Sequence, residues 1–255
     1  MAAAAAAAAY MAANVGMSNY LHNTLEVDSP RLRYNLMKGG FRLPARLTNK
    51  TDKFTYRLCT NIRKGEGVAA SKNIGAELEE DLQKFQTWCM YRHMTQRDFD
   101  YGQATLVNLR DTSTWMTQLP DDPSDTQVGP FEDRGDIRVW FEGIRNYLGQ
   151  KKGAAGLPII YGIRPDDALP VDDPGFGLPG FDDELYKRGR HNGTYWRADN
   201  AMIWQFLWKI CHGTTAWNAI SNFQATINGR GAMLALQRQH MGSDVQGTLM
   251  RHAET

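Results

Sequence analysis

Tyr195-Trp196-Arg197-Ala198-Asp199-Asn200-Ala201-Met202-Ile203-Trp204-Gln205-Phe206-Leu207-Trp208-Lys209-Ile210-Cys211-His212-Gly213 is the stretch whose reading settles the fold class. Met202, Ile203, Phe206, Leu207 and Ile210 recur at helical spacing, with Trp204 and Trp208 on an adjoining stripe. Asp199 or Asn200 supplies the expected N-cap, and His212-Gly213 the expected stop. A helix apolar over so much of its circumference is expected to be buried centrally or shared with another subunit.

Downstream, Trp217, Ile220 and Phe223 follow at three-residue steps before an Asn228-Gly229 turn signal. A further helix carrying Ala232, Leu234, Ala235 and Gln239 is expected to stop near Gly242, with another from Asp244 to Ala253. Trp204, Phe206, Trp208, Trp217 and Phe223 are the candidates for core or subunit contacts.

These pieces occur in an order that resembles the Gag-like, capsid-forming region of copia-type LTR retrotransposon polyproteins, especially diatom-type elements. The aromatic and Asp-Asn opening is Tyr195 to Asn200, and the Gly-x-x-Trp type of turn is Gly213-Thr214-Thr215-Ala216-Trp217. The Gly-Arg-x-Ala helix start is Gly229-Arg230-Gly231-Ala232, followed by Ala235-Leu236 and His240-Met241-Gly242. The likeness runs from about Tyr195 to Gly242, with a fainter echo at Leu157 to Tyr161 and Ile163-Arg164, and none over residues 1 to 150. Two departures stand out: the family often has an acidic residue where Met241 stands, and its helical region continues past the position of Thr255. The resemblance implies a truncated or diverged structural protein that assembles with itself. It also implies that the small, polar Gly229, Arg230 and Gly231 form a turn fixing the angle between two helices.

Upstream, Leu78, Leu82, Phe85 and Cys89 repeat at i, i+4, i+7 and i+11, which predicts an amphipathic helix from about Ala76 to His93. Glu77, Glu79, Glu80 and Asp81 favour its N-terminus through the helix dipole, and Arg92 its other end. Eight of the ten prolines lie between Pro120 and Pro179, among several glycines, so that stretch is expected to be broken by loops. One helix is expected within it: Ile137, Trp140, Phe141, Ile144, Tyr147 and Leu148 recur at helical spacing after Asp136, with Gly149 marking its end.

The expected architecture is therefore mainly α. Residues 1–24 read as a low-complexity tail on account of the Ala2 to Ala9 run. Residues 25–119 form an N-terminal lobe of mixed structure with one long amphipathic helix, and 120–190 a Pro/Gly-rich acidic connector. Residues 191–255 form a C-terminal lobe of short packed helices.

A formal net charge of +1 conceals a polarised chain. From Arg31 to Lys64, ten Lys or Arg stand against the single acid Asp52, a net +9; from Asp121 to Glu184, fourteen acids stand against six bases, a net −8. Attraction between such segments, in one subunit or between subunits, supplies steering and register. The basic segment interleaves aromatic residues, as in Lys53-Phe54-Thr55-Tyr56-Arg57. Cations for phosphates beside rings for unpaired bases make Arg31, Arg33, Lys38, Arg42, Arg46, Lys50, Lys53, Arg57, Arg63 and Lys64 the candidate contacts to single-stranded RNA. A solvated strand or hairpin surface, with apolar residues inward and basic ones outward, explains the same alternation.

At 255 residues, with 42% hydrophobic and 11% aromatic residues, the chain can bury a substantial core in one large or two small domains. Cys59, Cys89 and Cys211 are widely spaced, which fits a reducing compartment better than a disulfide framework. The alanine run lacks the charged start and strongly apolar centre of a secretory signal, and no stretch reaches the roughly 18 apolar residues of a membrane span. A cytoplasmic location is expected.

No catalytic residues, cofactor or metal site are assigned. Arg110-Asp111-Thr112-Ser113 has Ser where the active-site turn of retroviral-type aspartic proteases has Gly, and a charged rather than apolar lead-in. Asp166-Asp167 and Asp182-Asp183-Glu184 lack the regularly spaced oxygen ligands a divalent cation needs, and no zinc-knuckle spacing is present. The expectation is a non-enzymatic capsid-type protein that forms a homo-oligomer through apolar helix faces and holds RNA by basic residues. The alternative is a coat or accessory subunit whose apolar face is covered by a foreign protein, with self-association separating the two.

Overall fold

A computed structural model describes residues 2–50, 53–65, 74–165 and 180–252, with side chains described from residue 5 to residue 240 of those ranges. Asp166-Asp167, the later prolines of the 120–190 segment and the side chains of Met241 and Gly242 lie outside the described residues. The fold is mainly helical, and the described residues contain no β-strand beyond one isolated bridge between Lys152 and Pro158. The chain divides into two compact units, Met1–Gln118 and Leu119–Thr255.

Unit 1 carries α1 (Ala2–Ala12), α2 (Val15–Asn23), α3 (Pro30–Gly39), α4 (Pro44–Leu47), α5 (Lys53–Lys64), α6 (Ala76–Met94) and α7 (Leu106–Gln118). Its described part is helical where the sequence suggests mixed structure, and the basic segment forms α3 to α5 rather than a strand or hairpin. Spacing explains this: Thr55, Cys59 and Ile62 of α5 are buried at steps of four and three, a helical stripe that a period-two reading of the charges overlooks. Ser29 starts α3 by accepting from the Leu32 amide at 3.3 Å, Pro30 occupies the first turn, and Gly40 at φ 138° ends it.

Residues 2–24 are helical rather than a tail. The alanine run is helix α1, and α2 buries Met17, Tyr20 and Leu21 in the unit's core. The Tyr20 ring lies 4.6 Å from that of Phe85, centroid to centroid, and Phe85 stacks on Trp88 at 5.9 Å and Phe41 at 6.5 Å. The central helix α6 buries Leu82, Phe85 and Cys89 as its spacing predicts, and Trp88, Tyr91 and Arg92 besides. Arg92 is therefore no mere dipole partner: its guanidinium donates to the Asp98 carbonyl and, at 2.7 Å, to Gln103 Oε1, and lies 5.2 Å from the Trp88 ring.

Unit 2 contains α8 (Ile137–Gln150), a 3-10 turn at Ile159–Ile163, α9 (Phe181–Arg188), α10 (Gly193–Cys211), α11 (Trp217–Ile220), a 3-10 turn at Ser221–Phe223 and α12 (Gly229–His252). Asp136 caps α8, accepting from the Arg138 and Val139 amides at 2.9 and 3.4 Å, and the helix runs through Gly149 to Gln150. The described part of the 120–190 segment is no detached connector. Val128, Phe131, Phe141, Ile144, Leu148, Ile159 and Ile163 join the core formed by α10 and α12, and the Phe131 amide donates to the Ile210 carbonyl at 2.9 Å. Its acids also act locally: Asp122 pairs with Lys151 at 2.7 Å and Asp125 with Lys209 at 3.6 Å.

Helix α10 begins at Gly193, so Asp199 and Asn200 lie inside it rather than capping it. The break expected at Gly242 does not occur either, since α12 continues to His252.

Candidate nucleic-acid interface and subunit contact face

The ten cations of 31–64 divide by what holds them. Arg33 donates to the carbonyls of Val27 at 2.6 Å and Asp28 at 2.8 Å, and Arg63 to that of Ile74 at 3.0 Å while pairing with Glu79 at 2.6 Å. Both tie loops to helices and are turned toward their own fold. Arg42 donates to Asn14 Oδ1 at 2.8 Å with its guanidinium 5.6 Å from the Tyr10 ring. Lys38 donates to the Tyr34 hydroxyl at 3.1 Å, a bond that favours its charged form and raises its pKa. Arg31, Arg46, Lys53 and Lys64 are exposed.

Lys50 and Arg57 are brought together. A groove of about 310 Å3 is lined by Gly39, Asn49, Lys50, Phe54, Arg57, Leu58 and Asn61. Phe54, Arg57, Leu58 and Asn61 fall at i, i+3, i+4 and i+7 on one face of α5. The glycine pair explains the close approach of α3 to that face. A Cβ at residue 39 would stand 2.3 Å from Leu58 Cδ1, and one at residue 40 would stand 2.6 Å from Phe54 Cζ. Lys50 holds its ammonium 5.0 Å from the centre of the Phe54 ring. Charge in the sequence points to the two cations and not to Asn49 and Asn61, because single amides leave no periodic or charge signal.

In unit 2 the five aromatic candidates separate. Trp204 is 6% exposed and Phe206 7%, the latter stacked on Tyr147 with ring centroids 4.0 Å apart. Trp217 and Phe223 are partly buried against the same core. Trp208 is 43% exposed, so it is not a core residue. It stacks on His212 at 4.8 Å, His212 meets Trp217 edge-on at 5.2 Å, and Trp217 lies 6.2 Å from Trp204. The result is a rigid aromatic ladder leading from the core to the surface. Spacing assigns His212 only the end of a helix; its ring stacking depends on tertiary placement that spacing does not reveal.

The polar residues at the start of α12, and those of α10 that face it, are structural joints. Asn228 caps α12 by accepting from the Gly231 amide at 2.9 Å, so Gly229, Arg230 and Gly231 are its first turn, not a separate turn between two helices. Asn200 bridges α10 to that start, accepting from the Arg230 amide at 2.8 Å and donating to Asn228 Oδ1 at 3.3 Å. Arg230 donates from Nε and Nη2 to the carbonyls of Arg164 and Pro165 at 3.0 and 2.9 Å. Asp199 is buried and accepts from the Tyr161 hydroxyl at 2.6 Å and the Ala154 amide at 2.7 Å. Burial raises its pKa, and those two hydrogen bonds oppose the rise.

Arg110 to Ser113 lie within α7, with Asp111 paired to its neighbour Arg110 at 3.1 Å and Thr112 donating to the Asn108 carbonyl, which is helix and not a protease turn. Among the described residues no three His, Cys, Asp or Glu are grouped to hold a metal. The three cysteines are unbridged and buried, and burial pushes the thiols of Cys59 and Cys211 up to about 11 and about 12, away from thiolate reactivity. No described helix is long and apolar enough to cross a membrane. No protein-family model, curated protein or solved structure matches the chain.

Proposed function

We propose that this chain is a non-enzymatic, capsid-type structural protein of the Gag kind, which associates with copies of itself in the cytoplasm and holds single-stranded RNA. The observation that carries the reading is the role of the Gag-like sequence pieces as the joints of one helical unit. Asn200, Asn228, Gly229 and Arg230 fix the crossing of α10 and α12, and Gly213 to Trp217 lead into α11 beside it. A capsid protein needs such a rigid unit, because a lattice closes only when many copies repeat one interface geometry.

Trp208 is the contact residue of this account and Trp204 its support. An exposed tryptophan held by stacking is preorganised, so little side-chain entropy is lost when a second copy covers it. Unit 1 contributes the cationic surface, where release of counterions from RNA supplies affinity. Buried, unbridged cysteines suit the reducing cytoplasm.

Sedimentation velocity over a hundredfold range of protein concentration tests the reading. A series of oligomers growing with concentration is expected. A monomer throughout, shifting only when a foreign protein is added, overturns it in favour of an accessory subunit.

A further inference from the structure

The aromatic ladder of unit 2 carries a group whose residue type changes charge near neutral pH. His212 is exposed, with its ring stacked on Trp208 at 4.8 Å and met edge-on by Trp217 at 5.2 Å. The backbone fixes its place, since its amide donates to the Trp208 carbonyl at 2.9 Å where α10 ends. Among the described residues no carboxylate pairs with the His212 imidazole. Lys209, in the last turn of α10, pairs with Asp125 at 3.6 Å, and Asp133 is taken by the Thr215 hydroxyl. Helix α11, which supplies Trp217, contains no titratable side chain. Gln205, one turn before Trp208, and Asn218, beside Trp217, are exposed and uncharged. The face around Trp208 is thus uncharged while His212 is neutral, which suits it to meet a copy of itself. Two like patches can close on a twofold axis when neither carries net charge, and each residue then lies near its counterpart.

We infer that protonation of His212 dissolves self-association through the Trp208 face, so that the contact is controlled by pH. The inference rests on the self-association part of the proposed function and names its regulation. Trp208 and His212 lie ring on ring, so a contact that covers Trp208 also covers His212 in both copies. Neutral imidazoles fit there as flat, partly apolar rings. Imidazolium ions would place two like charges in one contact, with no paired carboxylate to offset them. In separated copies the same cation keeps its water and is attracted to the indole face beside it. Both effects favour the protonated, separated state. By linkage, association weakens as pH falls through the imidazole range, ordinarily near about 6.5.

The test is sedimentation velocity of the full chain at about pH 7.5 and about pH 5.5, with thermal melts at both to separate dissociation from unfolding. The wild-type Kd for self-association is expected to rise at least about tenfold at the lower pH, within a ceiling of about a hundredfold for two ordinary imidazoles. His212→Phe retains a ring for stacking but binds no proton, and its ratio of Kd values is expected to stay below about threefold. His212→Gln, also without a titratable group, is expected to show the same flat ratio. Trp208→Ala is expected to weaken association at both pH values. On dilution of the wild type at about pH 6.5, a pH-stat is expected to record proton uptake as copies separate.

Wild-type association of equal strength at the two pH values, or a His212→Phe ratio equal to that of wild type, overturns the pH control and leaves self-association intact. Dilution without proton uptake overturns it even if neither His212 variant folds. Association unaffected by Trp208→Ala places the contact elsewhere and also overturns it. A wild-type monomer at both pH values removes the pH control and the self-association reading together.

Discussion

Gly229 lies directly against the backbone of Trp204: a Cβ at residue 229 would stand 2.4 Å from the Trp204 amide nitrogen and 2.5 Å from the Asn200 carbonyl oxygen. Helices α10 and α12 therefore cross at a point where one contributes no side chain. Gly229→Ala is expected to destabilise unit 2 by about 2–3 kcal/mol, since overpacking against backbone leaves nothing soft to move. Gly231→Ala meets side-chain atoms of Phe223 and Asn228 at 2.6 and 2.7 Å, and is expected to cost less. Urea unfolding of the two variants checks the order. Equal or negligible losses contradict the described crossing.

Trp204 and Trp208 are one helical turn apart and are expected to behave differently. Trp204→Ala removes a buried indole and should cost about 3–5 kcal/mol. Trp208→Ala removes a ring that is 43% exposed and should change stability by no more than about 1 kcal/mol, while weakening self-association at least about tenfold if it is a contact hot spot. Thermal melts and sedimentation on the same samples separate the two effects. Loss of stability without loss of association in Trp208→Ala would remove it from the contact face.

Asp199 makes unit 2 pH-dependent in a stated direction. Burial raises its folded pKa above the unfolded value, with the Tyr161 and Ala154 hydrogen bonds opposing. The native state thus holds the proton more tightly than the unfolded state. The resulting stabilisation is complete below the unfolded carboxylate pKa and is lost as pH rises through the folded one. Asp199→Asn removes this titration, so the difference in stability between variant and wild type should grow in the variant's favour as pH rises across that window. Unfolding curves at several pH values check it, and a difference that shrinks with rising pH would contradict it.

Ile227 adopts φ 51° immediately before the Asn228 cap and is 48% exposed. A β-branched residue in the left-handed region is strained by about 1–2 kcal/mol. Ile227→Gly is expected to stabilise unit 2 by about 1 kcal/mol, the relief being partly offset by the greater freedom of glycine in the unfolded chain. A lower melting temperature would show that the side chain contributes packing that outweighs the strain.

Helical periodicity is readable wherever one face is buried. Leu82, Phe85 and Cys89 in α6, and Phe141, Ile144 and Leu148 in α8, carry that pattern without ambiguity. It fails where two signals compete. Asp199 and Asn200 look like caps because short polar side chains favour helix starts, yet here their oxygens accept from groups distant in sequence, Tyr161, Ala154 and Arg230. The alanine run looks like a tail because its uniform composition has no apolar period of its own, and Met17, Tyr20 and Leu21 beyond it are too few to show one. For the candidate groove, charge points to Lys50 and Arg57 among ten cations. Only the folded chain places them along one groove, while Arg33 and Arg63 donate to backbone carbonyls elsewhere.

Mass photometry, paired with negative-stain imaging, of the purified chain with and without single-stranded RNA at low and moderate salt asks whether the chain assembles by itself around RNA. Closed particles or regular filaments that form with RNA and weaken as salt rises are expected, because counterion release would drive the RNA contact. A monomer insensitive to both RNA and salt would contradict this.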